Sequence, residues 1–414
     1  MTNEELLQII EQAARDKVTE LDLSNKGLTI LPREIVQLTK LRSLYLNNNQ
    51  LSSLPPEFVQ LTNLQILYLN NNQLSSLPSE FIQLTNLQSL YLNNNQLSSL
   101  PPEIGKLINL QSLDLTSNQL SNLPPEIGKF TNLRSLYLSN NQLSSLPPEI
   151  GKLTNLQTLD LSSNQLSSLP PEIGKLINLQ SLDLASNQLS SLPPEIGKLI
   201  NLQSLDLYKN QLSSLPSEIE RLTKLLWLSL AKNPLKSFPL EVVRFSELKV
   251  LYIWETGLTK ISSEIKQLVN LEDVSLLRNE LTSFPIEICQ LTQITKLLLG
   301  GNKITTIPPD IRHMTNLEKL SLSDNQLSIL PPEIRQLPNL NRLDLQGNPL
   351  PIPPEILRTK YLLRDPGNVN EILDFYFRVQ DPTETEPFYE AKFLIIGEGG
   401  SGKTSGSPRL DMLN

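Results

Sequence analysis

Near the end of the chain, Gly397-Glu-Gly-Gly-Ser-Gly402-Lys403-Thr404 has the composition and spacing of a phosphate cradle. Glycines let backbone N–H groups turn inward around phosphate, a lysine there meets β/γ oxygens, and a threonine hydroxyl can ligate Mg²⁺. Lys392 to Ile396, KFLII, reads as the buried strand that should lead into such a loop. The alternative is a plain Gly/Ser linker. Gly406-Ser407-Pro408 opposes the helix whose N-terminus should receive the phosphates, and SGSPRLDMLN is all that follows Thr404. Nucleotide hydrolysis needs a second Mg²⁺-linked carboxylate, a water-positioning residue and a base-reading loop. The expectation is an incomplete site in a chain that is not a complete enzyme, with no cofactor of its own.

A second chemical candidate is the single cysteine, Cys289, whose only histidine helper would be His313. In FPIEICQL it reads as a small buried apolar residue. One cysteine excludes an intrachain disulfide framework and fits a reducing compartment, so a cytoplasmic home is expected.

A third candidate is a set of large amphipathic side chains. Tyr208, Lys209, Leu226, Trp227, Tyr252, Trp254, Glu255, Leu277, Arg278 and Leu298 fall where exposed positions are otherwise small and uniform. Both tryptophans of the chain are among them, and such side chains flanked by charge are what interface hot spots use. The expected protein-binding residues are Tyr208, Lys209, Trp227, Tyr252, Trp254 and Arg278. The alternative is degenerate drift, with the aromatics covering a locally irregular stack. A separate column runs Tyr45, Tyr68, Tyr91, Asp114, Tyr137, Asp160, Asp183, Asp206; its carboxylates suit a basic partner or are ordinary solvated surface.

These residues are positioned by a repeat. The pattern LxxLxLxxNxL starts at Val18, Leu41, Leu64 and so on to Leu340, always 23 residues apart, giving fifteen copies. Leucines alternating with solvent-facing residues make one short strand per copy, and stacked strands make a parallel sheet. The Asn that follows, as at Asn49, Asn72 and Asn164, can satisfy backbone groups in a buried turn. Only Lys26 and Thr256 depart from Asn there. Return segments such as LPPEIGKL carry proline pairs that neither join a sheet nor sit within a helix, so an extended or polyproline-like convex side ending in a short turn is expected. The fold class is therefore α/β, a leucine-rich-repeat solenoid with a concave parallel sheet and helical caps.

Residues 1–17 form the N-terminal cap, with Thr2 and Glu5 at capping-box spacing and Leu6, Leu7, Ile9, Ile10, Ala13 and Ala14 on one side of a helix. Repeats occupy 18–362. A second capping helix falls in 363–380, with Ile372, Leu373, Phe375 and Tyr376 available to pack; 381–390 reads as a linker, and 391–414 as the start of another domain. Net charge is −8 and the pI about 5.1, which argues against nucleic acid or an anionic membrane surface as ligand. Neither a secretory signal nor an apolar run of membrane-spanning length is expected. The partner expected is a protein on the concave face.

Taken together, EELLQIIEQAARDKVTELDLS, the LPPEIGKL repeats, GNPLPIPPEIL and EAKFLIIGEGGSGKTS resemble a bacterial Roco protein, over residues 1 to about 405. That resemblance implies repeats preceding a Ras-like GTPase domain (Roc) and a dimerising COR domain. It implies GTP and Mg²⁺ for the full-length member, with Gly397, Gly402, Lys403 and Thr404 as phosphate-loop residues. Other domains of the parent protein would be partners too. The alternative is a GTP-binding protein whose catalytic domain is missing from this chain. LPPEI repeats are also similar to those of intracellular Ras-associated leucine-rich-repeat scaffolds.

Overall fold

Each repeat contributes a strand of three residues, from β1 (Glu20–Asp22) to β15 (Arg342–Asp344). In the computed structural model, which describes residues 1–78, 81, 83–357 and 368–380, these strands form one parallel sheet in chain order. Register is exact to the repeat: Leu159 of β7 (Thr158–Asp160) lies opposite Leu136 and Leu182. Parallel neighbours need a crossover, and here the remainder of each coil supplies it. In most strands the central residue is buried while its two neighbours stay half-exposed on the concave side, as in Ser43-Leu44-Tyr45. Stacked inward leucines and isoleucines, with Phe58, Phe81, Phe130 and Phe245, make one continuous core from Leu6 to Tyr376.

The convex side corrects one expectation. Pro170 is extended (φ −68°, ψ 146°), but Pro171 opens a 3₁₀ helix, Pro171–Lys175. At the first position of a helix the missing N–H is not needed, so proline is tolerated there. In the repeats with GK at its end this turn packs tightly on the next: a Cβ built on Gly151 would lie 2.6 Å from the Glu172 carbonyl oxygen. Elsewhere the same position holds a residue with a side chain, such as Val59, Glu220, Val243 or Cys289, so glycine stands there only in the near-identical copies.

Both ends are covered. Helix α1 (Asn3–Arg15) carries the full Thr2–Glu5 capping box and buries Leu6, Ile10 and Ala13. Ile9, expected on the packed side, is exposed, because a helix stripe only one residue wide meets the first coil. After a short helix, α2 (Pro354–Leu357), helix α3 (Val369–Gln380) buries Val369, Ile372, Leu373 and Tyr376, while Phe375 is only partly covered. The Tyr376 hydroxyl accepts the Leu330 N–H at 2.8 Å, tying α3 to the last coils.

Buried asparagines hold each turn. Asn164 Nδ2 donates to the carbonyls of Leu138 (2.9 Å) and Leu161 (3.0 Å), and its Oδ1 accepts the Leu143 N–H at 3.0 Å. A second asparagine column, which sequence reasoning did not single out, lies just before the first leucine in most repeats: Asn155 Nδ2 donates to the Thr131 carbonyl and Asn178 to that of Thr154, both at 2.8 Å. Replacing Asn164 with Ala leaves two carbonyls and an N–H without this partner, and is expected to cost about 1–3 kcal/mol in urea unfolding. Ser162, two residues away, has its hydroxyl donating to Asp160 at 2.7 Å, so exposed Ser167→Ala is the proper comparison and should cost little. Equal losses would contradict the inward assignment of Asn164.

Candidate protein-interaction surface

Register places the large side chains of the ninth to twelfth repeats among small ones. In β10 (Trp227–Ser229), Trp227 lies opposite Ser204 of β9 (Ser204–Asp206) and Val250 of β11 (Val250–Tyr252). Its indole meets the Tyr252 ring edge-on, at 5.9 Å and 79°. Tyr208 and Trp254 stand in another column, two repeats apart, with fully buried Ala231 between them. Two repeats amount to about 9.6 Å of strand spacing, yet the rings approach to 5.4 Å, so both lean over the alanine. Ser229 is likewise buried between Asp206 and Tyr252. Large residues next to small ones make a half-exposed relief of two aromatic pairs. The predicted Tyr208, Trp227, Tyr252 and Trp254 are thus brought together.

Charge surrounds them at an unusual backbone position. One residue before each ladder asparagine the chain turns left-handed, and the first copies place Asn there, which tolerates it. Lys209, Lys232, Glu255 and Arg278 take that position in four successive repeats, with φ of 51–54°. Lys232, not singled out on sequence, puts Nζ 5.6 Å from the Tyr208 ring centre and 5.1 Å from that of Trp254. Glu255 joins Lys232 (3.6 Å) to Arg278 (2.8 Å). Beside them the Tyr252 hydroxyl donates to Asp273 Oδ2 at 3.0 Å, which also receives Lys296 Nζ at 2.8 Å. Burial and the Asp273 carboxylate push the Tyr252 hydroxyl up to about 12.

Other expectations meet different outcomes. Leu298, expected at the surface, is buried: it closes β13 (Lys296–Leu298) opposite Ser275 and Ser321, themselves covered. Leu226 and Leu277 are half-buried and Lys209 and Arg278 exposed. Thr256 breaks the ladder only in part, since its Oγ1 lies 3.1 Å from the Ile253 carbonyl and 3.0 Å from Asn279 Oδ1. Cys289 is buried and its thiol is pushed up to about 12 by that burial, so it carries no thiolate. Gly397, Gly402, Lys403 and Thr404 lie outside the described residues.

Two further features share the concave side. Tyr45, Tyr68 and Tyr91 stack face to face, with ring centres 4.9 and 4.4 Å apart. An open groove of about 750 Å³ is lined by amides such as Gln88, Gln111, Gln157, Asn109 and Asn155, with Arg134. Its lining is amide rather than aromatic, so this groove lacks the apolar area that the aromatic pairs present.

Asp183 is raised to about 6, first by burial and then by its column neighbours Asp206 and Asp160, although its Oδ1 accepts the Ala185 N–H at 2.9 Å. A carboxyl raised on folding favours the protonated folded state; its contribution is fully present below the ordinary carboxylate range and is lost as pH rises through the folded value. Asp183→Asn keeps the Oδ1 acceptor and removes the charge. It is expected to raise Tm near pH 7.5, with the gain closing by about pH 4; a gain independent of pH would exclude this cause.

The chain matches the family model described as "Leucine rich repeat" over residues 39–97, 85–143 and 292–350, and that described as "Leucine-rich repeat region" over 126–186 and 171–242. No curated protein matches it. A leucine-rich-repeat protein of Leptospira interrogans is similar in structure, with a TM-score of 0.76 and 41% identity over 82% of this chain and 93% of that one. The plant peptide hormone receptor RGFR1, in complex with RGF2, gives 0.66 and 37% over 80% of this chain and 59% of the receptor. Toll in the Drosophila Toll–Spatzle complex gives 0.69 and 26% over 80% of this chain and 48% of that one. No helix among the described residues is long and apolar enough to cross a membrane. By its repeats, its sheet and its likeness over most of its length to the Leptospira protein, the chain belongs to the leucine-rich-repeat family.

Proposed function

We propose that the chain is a protein-interaction scaffold that docks a protein partner on its concave face, around Tyr208, Trp227, Tyr252 and Trp254. The observation that carries this reading is the two neighbouring aromatic pairs, Tyr208–Trp254 over Ala231 and Trp227–Tyr252 beside Ser229, flanked by Lys232, Glu255 and Arg278. Rings held by their neighbours lose little freedom on binding, and charge at their rim sets orientation and encounter rate. Structural neighbours solved with RGF2 and with Spatzle support a protein ligand, without locating it on this chain. A cytoplasmic setting is part of the proposal.

The finer reading is that this is the regulatory repeat arm of a Roco-like protein, with other domains of its parent among the partners. The GEGGSGKT segment after KFLII favours it, with Gly397, Gly402, Lys403 and Thr404 as phosphate-loop residues for GTP with Mg²⁺. Gly406 and Pro408 oppose the helix such a loop should open. Multiple-turnover GTP hydrolysis by this chain is therefore expected not to exceed that of its Lys403→Ala variant; phosphate release above that control refutes the expectation.

For the docking surface, Trp227→Ala or Trp254→Ala is expected to weaken a captured protein partner by about 2 kcal/mol, while Tyr68→Ala changes little. All three variants must melt as the parent does. Normal binding by both tryptophan variants, with hydrogen-exchange protection at Tyr45 to Tyr91 instead, would place the partner at the other end.

A further inference from the structure

The concave face is electrically polar along its length. In the fifth to ninth repeats the strand columns carry only carboxylates, Asp114, Asp160, Asp183 and Asp206, among Ser, Thr and Tyr. Beyond the aromatic pairs cations enter the strand columns: Lys296, Lys319 and Arg342 occupy one column in β13, β14 (Lys319–Ser321) and β15, in direct register, with Asp273 ahead of them in that column and Asp344 at the end of β15 in the other. Lys296 is engaged by Asp273 at 2.8 Å. Among the described residues Lys319 and Arg342 form no ion pair, and they stand on adjacent strands. Burial lowers the Lys319 ammonium first, and Arg342 and Lys296 lower it further. Like charges opposite one another in a sheet are destabilising, so this column gains when an anion covers it.

We propose that the partner contributes an extended segment of fixed polarity, with basic side chains over Asp160 to Asp206, an apolar anchor between Trp227 and Trp254, and carboxylates over Lys319 and Arg342. This rests on the docking surface proposed above and adds its direction and chemistry. The spacing follows from the stack. Asp183 and Lys319 are six repeats apart, roughly 29 Å at one strand per repeat, and an extended segment covers that in about nine residues. A segment laid the opposite way sets like charges against each other at both ends, which is how charge rejects a wrong orientation.

Two synthetic fluorescent peptides of identical composition test this on the full chain. One carries three lysines, a central Trp-Leu and three glutamates, with the charged ends about nine residues apart; in its isomer the charges alternate. At low salt the segregated peptide is expected to bind about tenfold more tightly. The Lys319→Glu/Arg342→Glu double variant should lose that preference, and a third peptide with lysines in place of the glutamates should regain affinity on it. Thermal melts check that the double variant is folded. Equal affinity of the isomers, an unchanged preference on the double variant, or no binding up to about 1 mM overturns the proposal. If the isomers bind alike but Trp227→Ala weakens both, docking on the aromatics stands and the polarity fails. If Trp227→Ala changes neither, the docking reading itself fails.

Discussion

A strand of three residues satisfies few backbone groups, and the turn that follows each one is buried in the coil. An unpaired buried carbonyl or N–H costs about as much as a whole repeat's net margin could supply, so the turn needs a partner carried by the sequence. The ladder asparagine is that partner. Asn187 binds the carbonyls of Leu161 and Leu184 while its Oδ1 accepts the Leu166 N–H, so one short amide links its own turn to the preceding coil. This cross-link fixes the coil at one period and keeps neighbouring strands in one-to-one register, and a left-handed residue stands just before it. Everything on the concave face is then ordered into columns, and chemistry there becomes a matter of what each column holds.

The inward half of this arrangement was legible in the residues, because period, leucine alternation and asparagine position are repeated signals. Less legible was whatever depends on distance across repeats. The Asn155 column reads as ordinary loop asparagine until Nδ2 is seen on a carbonyl of the preceding coil. Proline pairs read as non-helical, yet Pro171 lies at the first helical position, where no N–H is required. Leu298 occupies an outward position by alternation, but covered serines on both sides leave it a depression rather than a surface. For the candidate site, sequence found the four aromatic residues and missed Lys232, since a lysine in a turn gives no sign that two rings two repeats apart will close around it.

The left-handed column also differs between the aromatic region and the first repeats. A side chain with a Cβ is disfavoured there by roughly 1–2 kcal/mol, and asparagine reduces that by local hydrogen bonding. Asn48, Asn71 and Asn94 show the unstrained solution, and Asn71 and Asn94 add side-chain bonds to the preceding column member. Lys232, Glu255 and Arg278 forgo it in the repeats that hold both tryptophans, and in return build an ion-paired rim around the rings. The left-handed strain is not confined to this region, since Ser117, Ser163 and Ser186 take the same position in the near-identical copies; what sets the aromatic repeats apart is the ion-paired rim.

Repetition itself argues for where a partner can be held in one place. Along the near-identical copies a ligand shifted by one repeat, roughly 4.8 Å, meets the same glutamines, asparagines and serines again. Such a surface offers several equivalent positions, and no single register is preferred. A unique position requires the columns to become unequal. They do so in two ways: by bulk at Trp227, Tyr252, Trp254 and Tyr208, and by charge, from Asp183 and Asp206 on one side to Lys319 and Arg342 on the other. Bulk supplies a lateral stop and the change of sign supplies a direction, whereas either alone leaves a segment free to slide or to reverse. On the proposed reading, the stack that the asparagines make uniform is recognised only where its outward columns cease to be uniform.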